Sequence, residues 1–362
     1  MPESSIVVRP EPMDSGSYTA SSRLRAAGLP VAIKLFEDAA DTVPLPKPPQ
    51  PVVIADYGAS TGHNSLLPIC AAIAVLRKRT RPEHSILVAH TDVAENDFTV
   101  LFQTLDEDPD SYLKKDAASF ASAIGRSFYH QILPSNSVHL GWSSWAIQWL
   151  GKVPAPVPDH LQVSYSADES VKAAYARQAA IDWHEFVAFR GRELCPGGRL
   201  VVLTTAVGDD GEFGHRPLFR GMVAELADLV AQGLLTEDEH YRMCIPMVSR
   251  RAADFLSPFA PKGRFEQLEI EHLEVFDAED RFWSQYRVDH DATAFGVQWA
   301  AFARASVFPT LASALDGGRT DPRCGEFMER LEAGVAARMA AEPEEMQIPL
   351  AQVVLWKRPK PR

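Results

Sequence analysis

The chain has 362 residues, 46% of them apolar, which is enough for one large folded domain with a full hydrophobic core. Its formal net charge of -12 argues against binding to nucleic-acid phosphates, and no basic cluster with interleaved aromatics offsets that charge. Because the four cysteines are widely spaced and neither a signal peptide nor a run of about 18 apolar residues occurs, we expect a cytoplasmic protein with reduced thiols and no membrane partner.

The segment 13–40 combines a polar, serine-rich lead-in with a predicted amphipathic helix. An isolated N-terminal segment of this kind usually frays, so it must dock on something if it is ordered. Covering a ligand cleft is one reason to dock, and we therefore predict a lid over residues 1–45. The proline run at 44–51 then forms a stiff linker into the first strand.

Buried strands alternate with helices along the next part of the chain. Apolar runs at 52–55 and 85–90 predict two buried strands, with a helix near 66–79 between them. A third clear strand at 199–205 follows a predicted helix and a Pro-Gly-Gly turn. This alternation predicts the α/β class with a doubly wound parallel sheet.

Asp56, Gly58 and Gly62 form a loop at the carboxyl end of the first strand, where open α/β sheets bind ligands. Their spacing differs from the dinucleotide fingerprint G-x-G-x-x-G and fits better the acidic-then-glycine loop of S-adenosylmethionine (SAM) methyltransferases. A carboxylate suits the cationic methionine end of that cofactor, but a purely structural turn is the alternative. Asp92, after the second strand, either accepts from ribose hydroxyls or is a turn aspartate before a helix cap.

Beyond Gly208 the sequence becomes helix-like, and we interpret this part as an α-helical cap inserted into the sheet. Apolar runs at 265–276 and 347–356 predict late strands at an antiparallel edge. The predicted division is therefore an α/β core at 46–210, cap segments at 211–262 and 278–345, and core strands at 263–277 and 346–362.

Several motifs, in order, resemble the salicylic acid, benzoic acid and theobromine methyltransferases, which form the SABATH family of SAM-dependent enzymes. The most specific are SFY at 127–129, LPSNSVHL at 133–140 and SSWAIQWL at 143–150, because no general fold requirement generates these strings. The resemblance covers nearly the whole chain. It implies a Rossmann-like SAM-methyltransferase core with a helical cap that encloses the acceptor, and a homodimer.

The resemblance also implies the site, position by position. For the cofactor it implies Tyr18, Ser22, Asp56, Gly58, Asn64, Asp92, Val93, Ser127 and Phe128. For the acceptor it implies Arg25, Trp145, Gln148, Trp149 and Phe219, with Gln148 and Trp149 as the catalytic donors that orient it. Phe128 offers adenine an apolar face. For the tryptophan-rich segment the alternative is a helix that only packs in the core.

Three departures from the family matter. Arg25 replaces a glutamine, and its guanidinium either holds the acceptor's carboxylate bidentately or points to solvent. Trp145 replaces a common tyrosine, and Gln148 occupies a variable pocket position, so the acceptor's shape can differ. Some family members bind a metal, and the corresponding positions here are Tyr241, Met243 and Cys244. These side chains do not suit a hard cation, so we predict no metal.

Methyl transfer to a carboxylate needs no general base, because an acid with a pKa of about 4 is already ionised at neutral pH. The site must supply alignment and a dry pocket. We therefore predict a SAM-dependent O-methyltransferase that forms methyl esters of a small apolar carboxylic acid, aromatic or fatty. The alternatives are an N-methyltransferase of a nitrogen heterocycle and a SAM-binding protein without turnover.

Overall fold

The computed structural model describes residues 29–359, and these residues build one seven-stranded sheet in the order β3-β2-β1-β4-β5-β7-β6. The strands are β1 (Val52–Tyr57), β2 (Ile86–Asp92), β3 (Ser119–Gly125), β4 (Val138–Ser144), β5 (Leu194–Thr205), β6 (Leu268–Asp277) and β7 (Pro349–Lys357). Strands β1 to β5 are parallel, and β7 runs antiparallel between β5 and β6. The predicted α/β class and the antiparallel edge are confirmed.

The sequence predicted five of these strands but missed β3 and β4. Strand β3 lies at the edge of the sheet and leaves Phe120 53% exposed, so it lacks the continuous apolar run of a buried strand. Strand β4, with sequence VHLGWSS, is buried at the centre of the sheet but mixes serine and glycine with apolar residues. Strand β4 is buried because it pairs with β1, and its composition alone does not predict this burial.

Helices cover both faces of the sheet, and those before β5 are α1 (Leu29–Thr42), α2 (His63–Arg79), α3 (Phe98–Glu107), α4 (Tyr112–Lys115) and α5 (Glu169–Glu193). Helix α1 packs on α2 and β5, and Phe36 stacks obliquely on Trp142 of β4 with ring centroids 4.9 Å apart. Helix α5 covers the opposite face through Trp183 and Phe186. Helix α1 thus lies within the segment 1–45 that was predicted as a lid but packs in the core. Residues 1–28 of that segment lie outside the described residues, and the lid stays a prediction.

The helices after β5 are α6 (Arg216–Ala231), α7 (Glu237–Arg242), α8 (Ala252–Leu256), α9 (Arg281–Asp289), α10 (Ala292–Ser306), α11 (Phe308–Ala312) and α12 (Cys324–Ala341). Helix α12 packs on α10 and α6, and Gly296 lets α10 approach the backbone of Ala336. Helix α8 instead packs on α5, since Phe255 meets Trp183 edge to face at 5.3 Å. The cap boundaries therefore remain a proposal, with α8 assigned to the core. No described helix combines the length and apolar content that crossing a bilayer requires.

Candidate active site

The loop between β1 and α2 is held in a strained, left-handed form at the carboxyl end of the sheet. Its φ angles are +85° at Gly58, +50° at Ser60 and +86° at Gly62. The amide of Gly58 donates to the carbonyl of Thr91 at 2.9 Å, which fixes the loop to β2. A Cβ atom at position 58 would lie only 2.3 Å from the Cβ of Ala146. Glycine is therefore required here both for the backbone angle and for the contact with the loop after β4.

Asp92 closes this loop from the end of β2. Its Oδ2 accepts from the amide of Ser60 at 2.7 Å, and its Oδ1 accepts from the amide of Val93 at 2.8 Å. Burial raises the pKa of Asp92 to about 6, although these two backbone hydrogen bonds oppose the shift. Each carboxylate oxygen keeps a free acceptor position, so Asp92 can still receive hydroxyl donors.

Asp56 is buried more deeply than its predicted role suggests, with only 1% of its surface exposed. Its Oδ2 lies 2.8 Å from Nδ1 of His90, and Nε2 of His90 lies 3.0 Å from the hydroxyl of Tyr112. Neither His90 nor Tyr112 is among the residues predicted for the site. A histidine inside the apolar run of β2 was the available signal, but its partner lies on a helix 22 residues later.

The SFY loop follows β3 and brings an aromatic ring to the same edge. The ring of Phe128 meets Tyr129 and Phe186 edge to face, with centroids 4.8 Å and 5.7 Å away. It also lies near Gly58, because a Cβ there would be 3.5 Å from the ring. Ser127 accepts from the amide of Tyr129 at 3.3 Å. Phe128 therefore borders the glycine loop.

A fully buried ion pair on α5 supports the SFY loop from below. Arg190 donates to the carbonyl of Phe128 at 2.7 Å and pairs with Glu193 at 2.9 Å. Glu193 in turn accepts from the amides of 132 and 133 and from the hydroxyl of Tyr57. Apart from the pairing of Arg190 with Glu193, each of these hydrogen bonds joins residues at least 60 positions apart in sequence. Spacing alone could therefore not reveal this support.

Residues 145–150 form a loop after β4 and not the tryptophan-rich helix that composition also allowed. Trp145 has a φ of +55°, and its amide donates to the carbonyl of Leu203 at 2.9 Å. Its indole Nε1 is buried and has no hydrogen-bond partner among the described residues. A buried donor without a partner is costly, so this atom is a candidate donor to a ligand.

Gln148 is 4% exposed, and its side-chain amide is already engaged within the protein. Its Nε2 donates to the carbonyl of Trp145 at 2.7 Å, and its Oε1 accepts from the hydroxyl of Thr204 at 3.1 Å. One N–H of Nε2 therefore holds the backbone of Trp145. The role of Gln148 toward the acceptor stays a prediction.

Phe219, the predicted cap wall, lies in an aromatic cluster between α6 and the segment before α5. Its ring centroid is 5.8 Å from Phe213, 6.0 Å from Tyr165 and 6.4 Å from His160. Of the other predicted residues, Asn64 lies in the first turn of α2 and Val93 directly follows β2. The predicted residues Tyr18, Ser22 and Arg25 lie outside the described residues.

The positions that the resemblance links to a metal site in some family members carry a phenol, a thioether and a thiol in this chain. Tyr241 is 54% exposed, whereas Met243 and Cys244 are buried. The sulfur of Cys244 lies 3.7 Å from the hydroxyl of Tyr175, within an apolar cluster. Over residues 29–359, no group of three or more His, Cys, Asp or Glu side chains is arranged to hold a metal ion.

Known proteins resemble this chain over two thirds to nearly all of its length. A family model for SAM dependent carboxyl methyltransferases matches residues 9–357. Gibberellic acid methyltransferase 1 of Arabidopsis thaliana is 27% identical over 355 residues, covering 91% of each chain. Salicylate carboxymethyltransferase of Clarkia breweri is 28% identical over 252 residues, covering 66% of this chain and 67% of that protein. A solved structure of loganic acid methyltransferase with SAH superposes with a TM-score of 0.74 at 20% identity, covering 98% of this chain and 99% of that one, and shows the shared fold.

Proposed function

This chain belongs to the family of SAM-dependent carboxyl methyltransferases, and we propose that it forms methyl esters of a small apolar carboxylic acid, aromatic or fatty. The observation that carries the proposal is the contact between Gly58 and Ala146. It brings the glycine loop after β1 directly against the loop that bears Trp145 and Trp149. A cofactor loop and an acceptor loop in contact are what a direct transfer between two bound molecules requires.

The described residues fit the proposed cofactor. Asp92 has acceptor positions left for ribose hydroxyls, and Phe128 offers a ring face beside the glycine loop. When bound, SAM supplies an electrophilic methyl group on a positively charged sulfur. We assign the cofactor to Tyr18, Ser22, Asp56, Gly58, Asn64, Asp92, Val93, Ser127 and Phe128.

On the acceptor side, the unpartnered Nε1 of Trp145 supports a donor role toward the acid's carboxylate. Trp149 is half-buried on the same loop, and we propose it as a second donor. Gln148 is proposed as a positioning residue, because its amide ties the carbonyl of Trp145 to Thr204 on β5. Arg25 is proposed to pair with the carboxylate, and Phe219 to wall the acceptor from the cap.

These residues need only align the reactants and exclude water. The acceptor acid is ionised at neutral pH without help, since its pKa is about 4. Indole N–H groups fix the carboxylate by hydrogen bonds, and the aromatic surfaces keep bulk water away from it. Alignment of this kind contributes up to about 7 to 11 kcal/mol in well-oriented systems.

Transfer of tritium from labelled SAM into a panel of acids tests the function. The panel contains benzoate, salicylate, indole-acetate and medium-chain fatty acids, and a purine-like heterocycle is added as a nitrogen acceptor. We expect an extractable labelled ester from at least one acid. Label on the heterocycle alone would favour an N-methyltransferase, and tight SAM binding without any product would favour a binding protein without turnover.

We further propose a homodimer, as the family resemblance implies, and a cytoplasmic location, as the four widely spaced cysteines suggest. Light scattering coupled to size-exclusion chromatography tests the assembly. A mass near twice the monomer's 39.9 kDa is expected. A mass near 39.9 kDa at the concentration of the assay would contradict the dimer.

A further inference from the structure

Asp56, His90 and Tyr112 form a buried chain of side chains beneath the glycine loop. Asp56 and His90 are direct partners in the parallel register of β1 and β2, so their side chains leave the sheet on the same face. Tyr112 reaches the histidine from α4. Asp56 and Tyr112 are each 1% exposed, and His90 is fully buried.

The hydrogen-bond chemistry assigns a direction to this chain. An ionised Asp56 can only accept, so Nδ1 of His90 carries the proton and donates across 2.8 Å. Nε2 is then an acceptor for the Tyr112 hydroxyl at 3.0 Å. Burial raises the pKa of Tyr112, so its hydroxyl keeps the proton that it donates. Thr91 adds a bond from its hydroxyl to the carbonyl of Asp56 at 3.0 Å.

Such a polar chain is an expensive way to fill a core position. Removing three polar side chains from water costs free energy that an apolar residue at position 90 would not cost. The residues around it in β1 and β2 are almost entirely apolar, including Ile54, Val88 and Ala89. The chain instead ends on the carboxylate that lies directly before the glycine loop, which suggests a role there.

We propose that His90 and Tyr112 are positioning residues that orient the Asp56 carboxylate and keep it charged for the cationic methionine end of the cofactor. Neither residue touches the cofactor in this proposal; both act through Asp56. The inference rests on the proposed function, because it assumes that SAM binds above β1. It adds two residues that the family resemblance did not assign.

Three single variants test the proposal by calorimetric titration with S-adenosylhomocysteine and SAM. His90→Leu removes both hydrogen bonds, His90→Asn keeps a donor for Asp56, and Tyr112→Phe removes one hydroxyl. We expect about tenfold weaker binding in His90→Leu, recovery to within about threefold of wild type in His90→Asn, and a loss of about twofold to threefold in Tyr112→Phe. Thermal unfolding of each variant verifies that it folds.

The pH dependence of binding separates positioning from mere packing. A buried carboxylate that has lost its hydrogen-bond donor favours the protonated form. As the pH is lowered, the affinity of His90→Leu for the cofactor should therefore begin to fall at a higher pH than the affinity of wild type. Asp92 interacts electrostatically with Asp56, and Cys70 with Tyr112, so both groups also contribute to the profile. Because they remain in every variant, the displacement between profiles reports on the His90 chain.

The outcomes are distinguishable. If wild type binds the cofactor and His90→Leu binds it equally well with the same pH profile, the positioning role is overturned. If wild type itself does not bind the cofactor, the proposed function fails, and the positioning role fails with it. If His90→Leu does not fold, Tyr112→Phe decides the question, since unchanged affinity and an unchanged profile there would overturn the proposal.

Discussion

The hydroxyl of Tyr129 donates a hydrogen bond of 2.5 Å to the carbonyl of Trp149. This bond ties the SFY loop, which borders the proposed cofactor site, to the loop that bears the proposed acceptor donors. Burial raises the pKa of Tyr129, so the hydroxyl stays protonated and remains a donor. The two halves of the proposed site are thus joined by the Tyr129 side chain.

Tyr129→Phe should loosen this junction while keeping the ring. A net hydrogen bond contributes about 1 kcal/mol, so we expect a stability loss of about that size and a fall in kcat/KM of about tenfold. Steady-state kinetics with the best acid of the panel measures the effect. Tyr241→Phe is the control, because Tyr241 is exposed on the cap. Equal kinetics in both variants would contradict a role for the junction.

Trp145→Phe should weaken acceptor binding with little loss of stability. The substitution removes an indole N–H that has no partner within residues 29–359 and keeps an aromatic wall. We expect the KM for the acid to rise about tenfold while the KM for SAM stays constant. Trp142→Phe is a matched control, because Trp142 also has a buried, unpartnered Nε1 but packs in the core against Phe36. Equal KM values for the acid in the two variants would remove Trp145 as a donor.

Gly58→Ala should be one of the most damaging small substitutions in the chain. The new Cβ meets Ala146 at 2.3 Å, and the φ of +85° is unfavourable for alanine. Left-handed strain costs about 1 to 2 kcal/mol, and overpacking adds about 1 to 3 kcal/mol. Gly233→Ala is the control, since it shares a φ of +77° but has open space around the new atom. Urea unfolding measures the loss of unfolding free energy in each variant. Equal losses would show that the contact with Ala146 adds nothing to the cost of the substitution at position 58.

The local parts of the site were predictable from sequence, and the parts built by distant contacts were not. Gly58 directly follows β1 and Asp92 is the last residue of β2, so the apolar runs located both at one edge of the sheet. The hydrogen bond between Gln148 and Thr204 could not be predicted from spacing, because Thr204 lies 56 residues away on β5. Likewise, Arg190 donates to the carbonyl of Phe128, which lies 62 residues earlier in the chain. Sequence spacing does not specify which residues of α5 face that carbonyl.

The same reasoning explains the fold. Strands β1, β2 and β5 are apolar runs, and their identification needs only the local sequence. Strand β4 is recognisable only from its neighbours, because Ile54 and Leu203 pack against a strand that itself carries serine and glycine. Helix α1 is amphipathic in sequence, but which surface it covers depends on Trp142, more than 100 residues later. The amphipathic pattern therefore predicted the helix but not the surface that it covers.

Asp92 should make stability and cofactor binding depend on pH in opposite directions. Its folded pKa of about 6 exceeds the value of about 3.9 expected in the unfolded chain, so the folded state binds the proton more tightly. This contribution to stability is fully present below about pH 4 and is lost as the pH rises through about 6. Binding to ribose hydroxyls favours the ionised carboxylate, so affinity for SAM should instead rise through the same interval.

Asp92→Asn isolates these effects, because an amide does not titrate. We expect the wild-type free energy of unfolding to fall relative to Asp92→Asn by on the order of 2 kcal/mol between about pH 4 and pH 7. Burial also raises the pKa of Asp182 and Asp280, which adds a slope of the same sign to both proteins. The difference between the two urea-derived curves therefore reports on Asp92 alone. Parallel curves, or a wild-type affinity for SAM that does not change near pH 6, would show that this carboxylate does not titrate at the proposed ribose site.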